Sequence, residues 1–334
     1  MRNDKLKTFT LQWHITQKCE LSCRHCYDRR ELEELSLVNA EKVLDNLEDF
    51  CKVKEIPKPF IYFTGGNPFL YTHFLKLYEK TVERKISLAV MGNPISRELL
   101  NKYLAIKKPS IFQVSLEGFE DHNDYIRGKG HFKRIIAFLK LMQELEVNSS
   151  VMLTVTNDNI DQVIPLAKFL KPYTNAFIFN RVSLAGEARE LVMAPVDKYE
   201  LLLRNYLELA VEDKGTFYRV KDNFFNIIRY ENNQPFLGGC TGFGCGAAYN
   251  FVALLSNGAV HACRKYNTFI GNIYRKSLLE LYNSESSMRY RRRSEACLGC
   301  EIIEACGGCL ASTNSFGLDE FKERDPYCFK NLNH

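Results

Sequence analysis

The sequence predicts an α/β protein in which a mostly parallel sheet is covered by helices. Three observations support this fold class. Short apolar, β-rich segments alternate with segments of helical periodicity. The strand segments are mostly apolar on both faces, as in a sheet with helices on each side. The composition is that of a globular protein, with 46% apolar and 25% charged residues in 334 positions.

The predicted strands and helices alternate in order along the first part of the chain. Strands are predicted at 8–16, 59–63, 86–92, 110–116, 149–156 and 175–184. Helices are predicted at 37–52, from Phe74 to Val82, near 96–106, from Phe132 to Met142 and near 159–170. Six strand–helix units are too few to close an eight-stranded barrel.

The alternation ends after Gly186, and a different organisation follows. Residues 195–212 begin with a proline suited to a first helical turn and carry an apolar stripe, and a further helix is predicted near 221–231. A cysteine-rich region with glycine turns then begins at Gly238. The sequence therefore predicts a core at 1–190, linking helices at 191–234 and a small domain at 235–334.

Charge and hydropathy limit the function classes. The net charge of +5 is small, and the basic run at 289–293 is interpreted as a solvated helix face. No secretion signal and no membrane-spanning run is present in the sequence. We therefore predict a cytoplasmic protein, with neither a membrane nor a nucleic acid as its partner.

Twelve cysteines are many for such a protein. Because a reducing compartment disfavours disulfides, metal ligation is the better interpretation for most of them. Cys51 is the exception: it falls on the apolar face of a helix and is expected to be buried as a small hydrophobic residue. His14 and His25, near the first cysteines, are interpreted as structural histidines.

Three cysteines follow the first strand with the spacing C-x3-C-x2-C: Cys19, Cys23 and Cys26. Three thiolates hold three irons of a cubane cluster and leave the fourth iron open to a ligand, whereas four close every iron. The spacing resembles the signature of the radical S-adenosylmethionine (SAM) enzymes. That resemblance implies a partial (β/α)6 barrel resembling a TIM barrel, a 4Fe-4S cluster that binds SAM, and cleavage of SAM to a 5′-deoxyadenosyl radical.

Further motifs at strand ends carry the same resemblance. Gly65-Gly66-Asn67-Pro68 follows the second strand and is similar to the family's Gly-Gly-Glu-Pro motif, which binds the methionine amino group, with Asn67 in place of Glu. Ser115-Leu-Glu117-Gly and a later Arg127-Gly resemble a second family stretch. By resemblance, Ser115 would contact the ribose, Arg127 the SAM carboxylate and Tyr27 the adenine.

The C-terminal cysteines resemble the SPASM domain of peptide-modifying radical enzymes. By the family pattern, one auxiliary 4Fe-4S cluster would take the ligands Cys240, Cys245, Cys263 and Cys309. The other would take Cys297, Cys300, Cys306 and Cys328. The gap between Cys306 and Cys309 is one residue shorter than in the pattern. Zinc ribbons are the alternative interpretation of the C-x2-C pairs.

The resemblance implies maturation of a ribosomally made peptide by a cross-link or an oxidation, with three 4Fe-4S clusters and SAM as cofactors. The expected partners are a precursor peptide or protein, a low-potential electron donor and a separate leader-recognition protein. Cofactor or haem biosynthesis is an alternative, as is sulfatase maturation, although Arg264 stands where sulfatase-maturing enzymes carry an Asp. A zinc-binding protein is the alternative of a different class. No catalytic base can be assigned; four residues are candidates for the cavity: Arg181, Glu187, Arg264 and Tyr266.

Overall fold

The computed structural model describes residues 6–237 and 244–330. It has the predicted α/β fold, with six parallel strands followed by three further strands near the C-terminus. The strands are β1 (Phe9–Thr16), β2 (Pro59–Gly65), β3 (Ser87–Met91), β4 (Phe112–Ser115), β5 (Ser149–Val155), β6 (Ala176–Arg181), β7 (Phe251–Leu255), β8 (Ala259–His261) and β9 (Phe269–Asn272).

Helices separate the parallel strands as the periodicity predicts. They are α1 (Leu37–Val53), α2 (Phe74–Glu83), α3 (Arg97–Ile106), α4 (Glu120–Arg127), α5 (His131–Glu144), α6 (Val163–Leu170), α7 (Val196–Glu212), α8 (Phe225–Glu231), α9 (Leu278–Asn283), α10 (Glu285–Arg292) and α11 (Leu310–Ser315). Two helices follow β4 where the sequence indicated one. Gly128 and Gly130 both have positive φ, 102° and 76°, and so divide that segment.

The sheet has nine strands in the order β6-β5-β4-β3-β2-β1-β7-β8-β9. The first six strands are parallel and run in chain order, which confirms the predicted partial barrel. On its other side β1 pairs in parallel with β7, and β7–β9 form an antiparallel extension. The cysteine-rich region therefore continues the same sheet, and the domain boundaries remain predictions.

One face of β1 is apolar and packs into the core: Phe9, Leu11, Trp13 and Ile15 are fully buried. Trp13 is fully buried and stacks on Phe63 with ring centroids 5.9 Å apart. Cys51 is 5% exposed on α1, in agreement with its interpretation as a small buried residue. The helices in the described ranges include none whose length and hydrophobicity would allow it to cross a bilayer.

Candidate functional site

The cysteine loop leaves the C-terminal end of β1 and contacts the glycine turn after β2. The amide of Gly66 donates to the carbonyl of Thr16 at 2.9 Å, and the amide of Asn67 donates to that of Lys18 at 2.7 Å. A Cβ on Gly66 would lie 2.2 Å from the Lys18 oxygen. The glycine is therefore required by the close approach of two backbones, which fixes the start of the loop that carries Cys19.

The three N-terminal thiols have different surroundings. Cys23 is buried, Cys26 is half-buried and Cys19 is exposed. The Asn93 amide lies 3.7 Å from the Cys19 sulfur, and an Arg127 nitrogen lies 3.8 Å from the Cys23 sulfur. Burial raises the pKa of Cys23, and the charge of Arg127 opposes that rise. An amide donor and a cation directed at the sulfurs suit thiolates that bind a metal cluster.

The three thiols lie on one short loop and are unpaired. In a cubane cluster each such thiolate binds a different iron, and a set of three leaves the fourth iron open. The donor set of three unpaired cysteines on one short loop therefore matches the cluster that the motif indicates.

Arg127 lies at the C-terminal end of α4 in a buried ion pair. Its guanidinium donates to Glu117 at 2.6 and 2.9 Å, and His25 lies 3.1 Å from the same carboxylate. Burial raises the pKa of Glu117, but the charges of His25 and Arg127 lower it overall. Glu117 also accepts from the Thr154 amide at 2.8 Å. The structure thus places Arg127 against the cysteine loop, with Glu117 as its counter-ion.

The other residues expected to contact SAM lie at the same edge of the sheet. Ser115 is the last residue of β4, and Pro68 begins a short 3-10 turn after β2. Tyr27 is 37% exposed, and its ring lies 6.3 Å from that of His14. Asn67 is 2% exposed and donates from its side-chain amide to Glu20 at 2.9 Å. The structure brings these residues and the triad to one end of the parallel strands.

The C-terminal cysteines of the described residues form two groups. Cys297, Cys300, Cys306 and Cys328 line one cavity. The second group comprises Cys245, Cys263 and Cys309. Burial raises the pKa of Cys263 to about 12, and Cys245 and Cys309 make smaller contributions in the same direction. These electrostatic contributions associate Cys309 with Cys245 and Cys263 despite the short gap. Cys240, the predicted fourth member of that group, lies outside the described residues.

A buried ion pair joins the two cysteine regions. Arg264, the residue after Cys263, pairs with Asp28, two residues after Cys26, and both side chains are nearly inaccessible. Asp28 also accepts from Arg30 at 2.8 Å. Burial raises the pKa of Asp28, but the hydrogen bond from Arg30 and the charge of Arg264 lower it to about 2. The pair holds the third triad cysteine close to the segment that carries Cys263.

The cavity candidates have different environments. Arg181 is 5% exposed and pairs with Asp222 at 3.0 Å and Asp325 at 2.7 Å, which makes it a structural centre. The buried Tyr266 hydroxyl has no hydrogen-bond partner among the described atoms, and its ring belongs to a small core that contacts Cys309. Glu187 is half-exposed and lies 3.6 Å from Arg29.

Sequence reasoning did not assign roles to Asp28 and Glu20, and it identified Glu117 only as a substitution within a motif. Asp28 and Glu20 are charged residues within two positions of a triad cysteine. Both residues lie beside a motif cysteine, which is the feature that could have identified them. Their side-chain partners lie elsewhere in the chain and are not visible in the sequence.

Comparisons with known proteins agree with this geometry. Residues 13–170 match a family model described as the Radical SAM superfamily, and residues 245–309 match SPASM, an iron–sulfur cluster-binding domain. A haem synthase of Methanosarcina barkeri that is named AdoMet-dependent is 24% identical over 95% of both chains. The Bacillus subtilis subtilosin biosynthesis protein AlbA is 25% identical over 91% of this chain and 67% of its own. The crystal structure of Streptococcus suis SuiB bound to the precursor peptide SuiA has a TM-score of 0.73 at 19% identity, covering 98% of this chain and 76% of SuiB.

Proposed function

The chain belongs to the radical SAM superfamily and carries a C-terminal SPASM domain, and from this premise we propose that it modifies a ribosomally made peptide. Membership of the superfamily implies a 4Fe-4S cluster and SAM. The observation that carries the proposal is the junction at Asp28 and Arg264, where the SAM-cleaving region and an auxiliary-cluster region share one buried ion pair. Such a junction suits a substrate that is oxidised between two clusters.

The proposed ligands follow from the two sets of thiols. Cys19, Cys23 and Cys26 would hold the SAM-binding cluster. The first auxiliary cluster would take Cys240, Cys245, Cys263 and Cys309, and the second would take Cys297, Cys300, Cys306 and Cys328. The cavity that these last four line supports the second assignment. Three clusters are therefore proposed.

When bound, SAM and the reduced cluster supply a 5′-deoxyadenosyl radical that removes a hydrogen atom from a substrate carbon. The chain's own residues prepare this step. Arg127 places a positive charge beside the buried Cys23 sulfur. Glu117 is the counter-ion that stabilises Arg127 in this buried position. Tyr27 presents a partly exposed ring for the adenine at the same edge. Closing a cross-link would then require loss of one proton to a base and of one electron, and an auxiliary cluster held by the C-terminal cysteines would supply an acceptor for the electron.

The charge of the site favours a peptide over a porphyrin. Haem and its precursors carry several carboxylates, which would need free cations in the site. Four of the five arginines near the triad have carboxylate partners already: Arg29 with Glu187, Arg30 and Arg264 with Asp28, and Arg127 with Glu117. The fifth, Arg24, lies over the Tyr125 ring and donates to the Tyr125 carbonyl. A neutral peptide segment does not require such cations.

The relatives support both classes of substrate. AlbA is named for subtilosin biosynthesis, and SuiB was crystallised with a precursor peptide. The Methanosarcina relative is named a haem synthase and matches over 95% of both chains, so haem synthesis is the second candidate. We further propose an external low-potential electron donor, and a separate protein that recognises the peptide leader.

Mass spectrometry separates the two candidates. The anaerobically purified enzyme with dithionite and SAM would be incubated with peptides encoded beside its gene, and in parallel with iron coproporphyrin. We expect a peptide to lose two hydrogen atoms for each link, with one 5′-deoxyadenosine formed. Decarboxylation of the porphyrin without any change in a peptide would refute the proposal in favour of haem synthesis.

The same purification tests the cofactors. About twelve irons per chain are expected from three cubane clusters. One or two zinc ions without iron would refute the cluster assignment. The Cys23→Ala variant should form no 5′-deoxyadenosine, and the Cys51→Ala variant is the matched control because Cys51 is buried on α1 away from both cysteine groups.

A further inference from the structure

The carboxylate of Glu20 is held beside the cysteine triad by neutral groups alone. Its Oε1 accepts from the side-chain amides of Asn67 at 2.9 Å and Asn93 at 3.1 Å, and its Oε2 accepts from Asn67 at 3.1 Å. The same Asn93 amide lies 3.7 Å from the Cys19 sulfur. The loops after β1, β2 and β3 thus fix one carboxylate next to a triad cysteine.

This carboxylate has no counter-ion in the part of the chain that the structure describes. Lys18, two residues earlier, pairs with Glu34 at 2.6 Å, and Arg127 pairs with Glu117. No described Lys, Arg or His lies within ion-pair distance of Glu20. A carboxylate has about four acceptor positions, so Glu20 keeps capacity for a further donor that carries positive charge or several N–H groups.

We propose that Glu20 binds the α-amino group of the methionine part of SAM. The inference rests on the proposed cleavage of SAM at the triad, and it does not depend on the substrate. The amino group is the donor-rich end of the ligand, and its N–H bonds need acceptors once it leaves water. Glu20 is exposed at the edge where the triad lies, so it is accessible to a ligand.

The amide of Asn67 has a defined part in this arrangement. Position 67 is the place of the carboxylate in the motif that the glycine turn resembles, and here it carries an amide that donates to Glu20. The two positions together provide one carboxylate and one amide. Asn67 is 2% exposed and is therefore a positioning residue that fixes Glu20, whereas Glu20 makes the contact.

The test measures SAM binding to the cluster-loaded protein without turnover. The Glu20→Gln variant keeps the size of the side chain and removes its charge. Glu33→Gln is the control, because Glu33 is exposed in the segment after the triad and changes the net charge equally. Dissociation constants would be measured by equilibrium dialysis for SAM and for 5′-methylthioadenosine, which lacks the amino acid part. Iron content and the electron paramagnetic resonance spectrum without SAM establish that the cluster is present.

We expect Glu20→Gln to weaken SAM binding about tenfold or more, as for loss of a charge-assisted hydrogen bond. It should leave 5′-methylthioadenosine binding unchanged, and Glu33→Gln should change neither. Equal weakening for both ligands, or no weakening for either, would overturn the inference. If the wild-type cluster-loaded protein bound no SAM, the proposed function would fail instead.

A second variant keeps the test valid if Glu20→Gln loads its cluster poorly. Glu20→Asn combined with Asn67→Glu moves the carboxylate to the neighbouring position and retains the amide. At wild-type iron content it should bind SAM within about threefold of the wild type, since the charge stays at the same edge. Binding that is as weak as in the Glu20→Asn single variant would contradict a role for the carboxylate.

Discussion

The ion pair between Asp28 and Arg264 should contribute asymmetrically to stability. Both side chains are about 5% exposed, and removing one member of a buried pair leaves the other as an uncompensated charge, at a cost of about 3–5 kcal/mol. Asp28 has a second cation, Arg30, and a hydrogen bond from Gln17 at 3.1 Å. Arg264 has no other carboxylate partner among the described residues.

The two single variants should therefore differ. Asp28→Asn leaves the Arg264 charge buried, and we expect a loss of about 3 kcal/mol. Arg264→Met leaves Asp28 with Arg30 and Gln17, so the loss should be about 1.5 kcal/mol. At about 2 °C for each kcal/mol, Tm should fall by about 6 °C and about 3 °C respectively. The double variant should be close to Arg264→Met alone, since the pair can only be lost once.

The assay is thermal unfolding followed by circular dichroism under anaerobic conditions. Iron content must be matched between variants, because cluster loss itself lowers Tm. Arg97→Met is the control: Arg97 pairs with Glu144 on the surface, with both side chains at least half exposed, and should cost less than about 1 kcal/mol. Additive single effects, or a larger loss for Arg264→Met than for Asp28→Asn, would refute the reasoning.

Three further predictions concern the glycine turn, a buried carboxylate and the cysteine groups. Gly66→Ala should lose about four irons per chain, because its Cβ would displace the cysteine loop. Gly215→Ala is the control: its φ of 64° strains an Ala locally, but its Cβ meets open space outside the cysteine loop, so this variant should retain all of its iron. Equal iron content in both variants would contradict the prediction. Burial raises the pKa of Asp213, but a backbone amide and a lysine lower it to about 2. Its contribution is therefore complete above its usual pKa and is lost only as pH falls towards 2. Asp213→Asn should lower Tm by the same amount at about pH 5.5 and about pH 8, and a loss confined to the higher pH would disagree. Cys300→Ala should lower iron content by about four, whereas Cys51→Ala should leave it unchanged; both are read by iron analysis, and a loss of iron in Cys51→Ala would contradict the structural role of that thiol.

Sequence periodicity was sufficient for the six parallel strands, because strands apolar on both faces occur in covered parallel sheets. It also predicted that Cys51 is buried, since one helical stripe carries it together with its apolar neighbours. Of the two helices after β4, periodicity predicts only α5, because α4 buries just Asn123 and Ile126 and so carries no apolar stripe.

Local features of the sequence specify the six parallel strands and the cysteine motifs of this protein. Cysteine spacing and glycine turns are local features, since a few bonds set how far apart their atoms lie. The partners of these residues follow from long-range packing. Packing brings Arg264 to Asp28 across 236 positions of the chain, and pairing of β7 with β1 joins the cysteine-rich region to the sheet. Such contacts depend on how the chain closes over long separations, which no local pattern records.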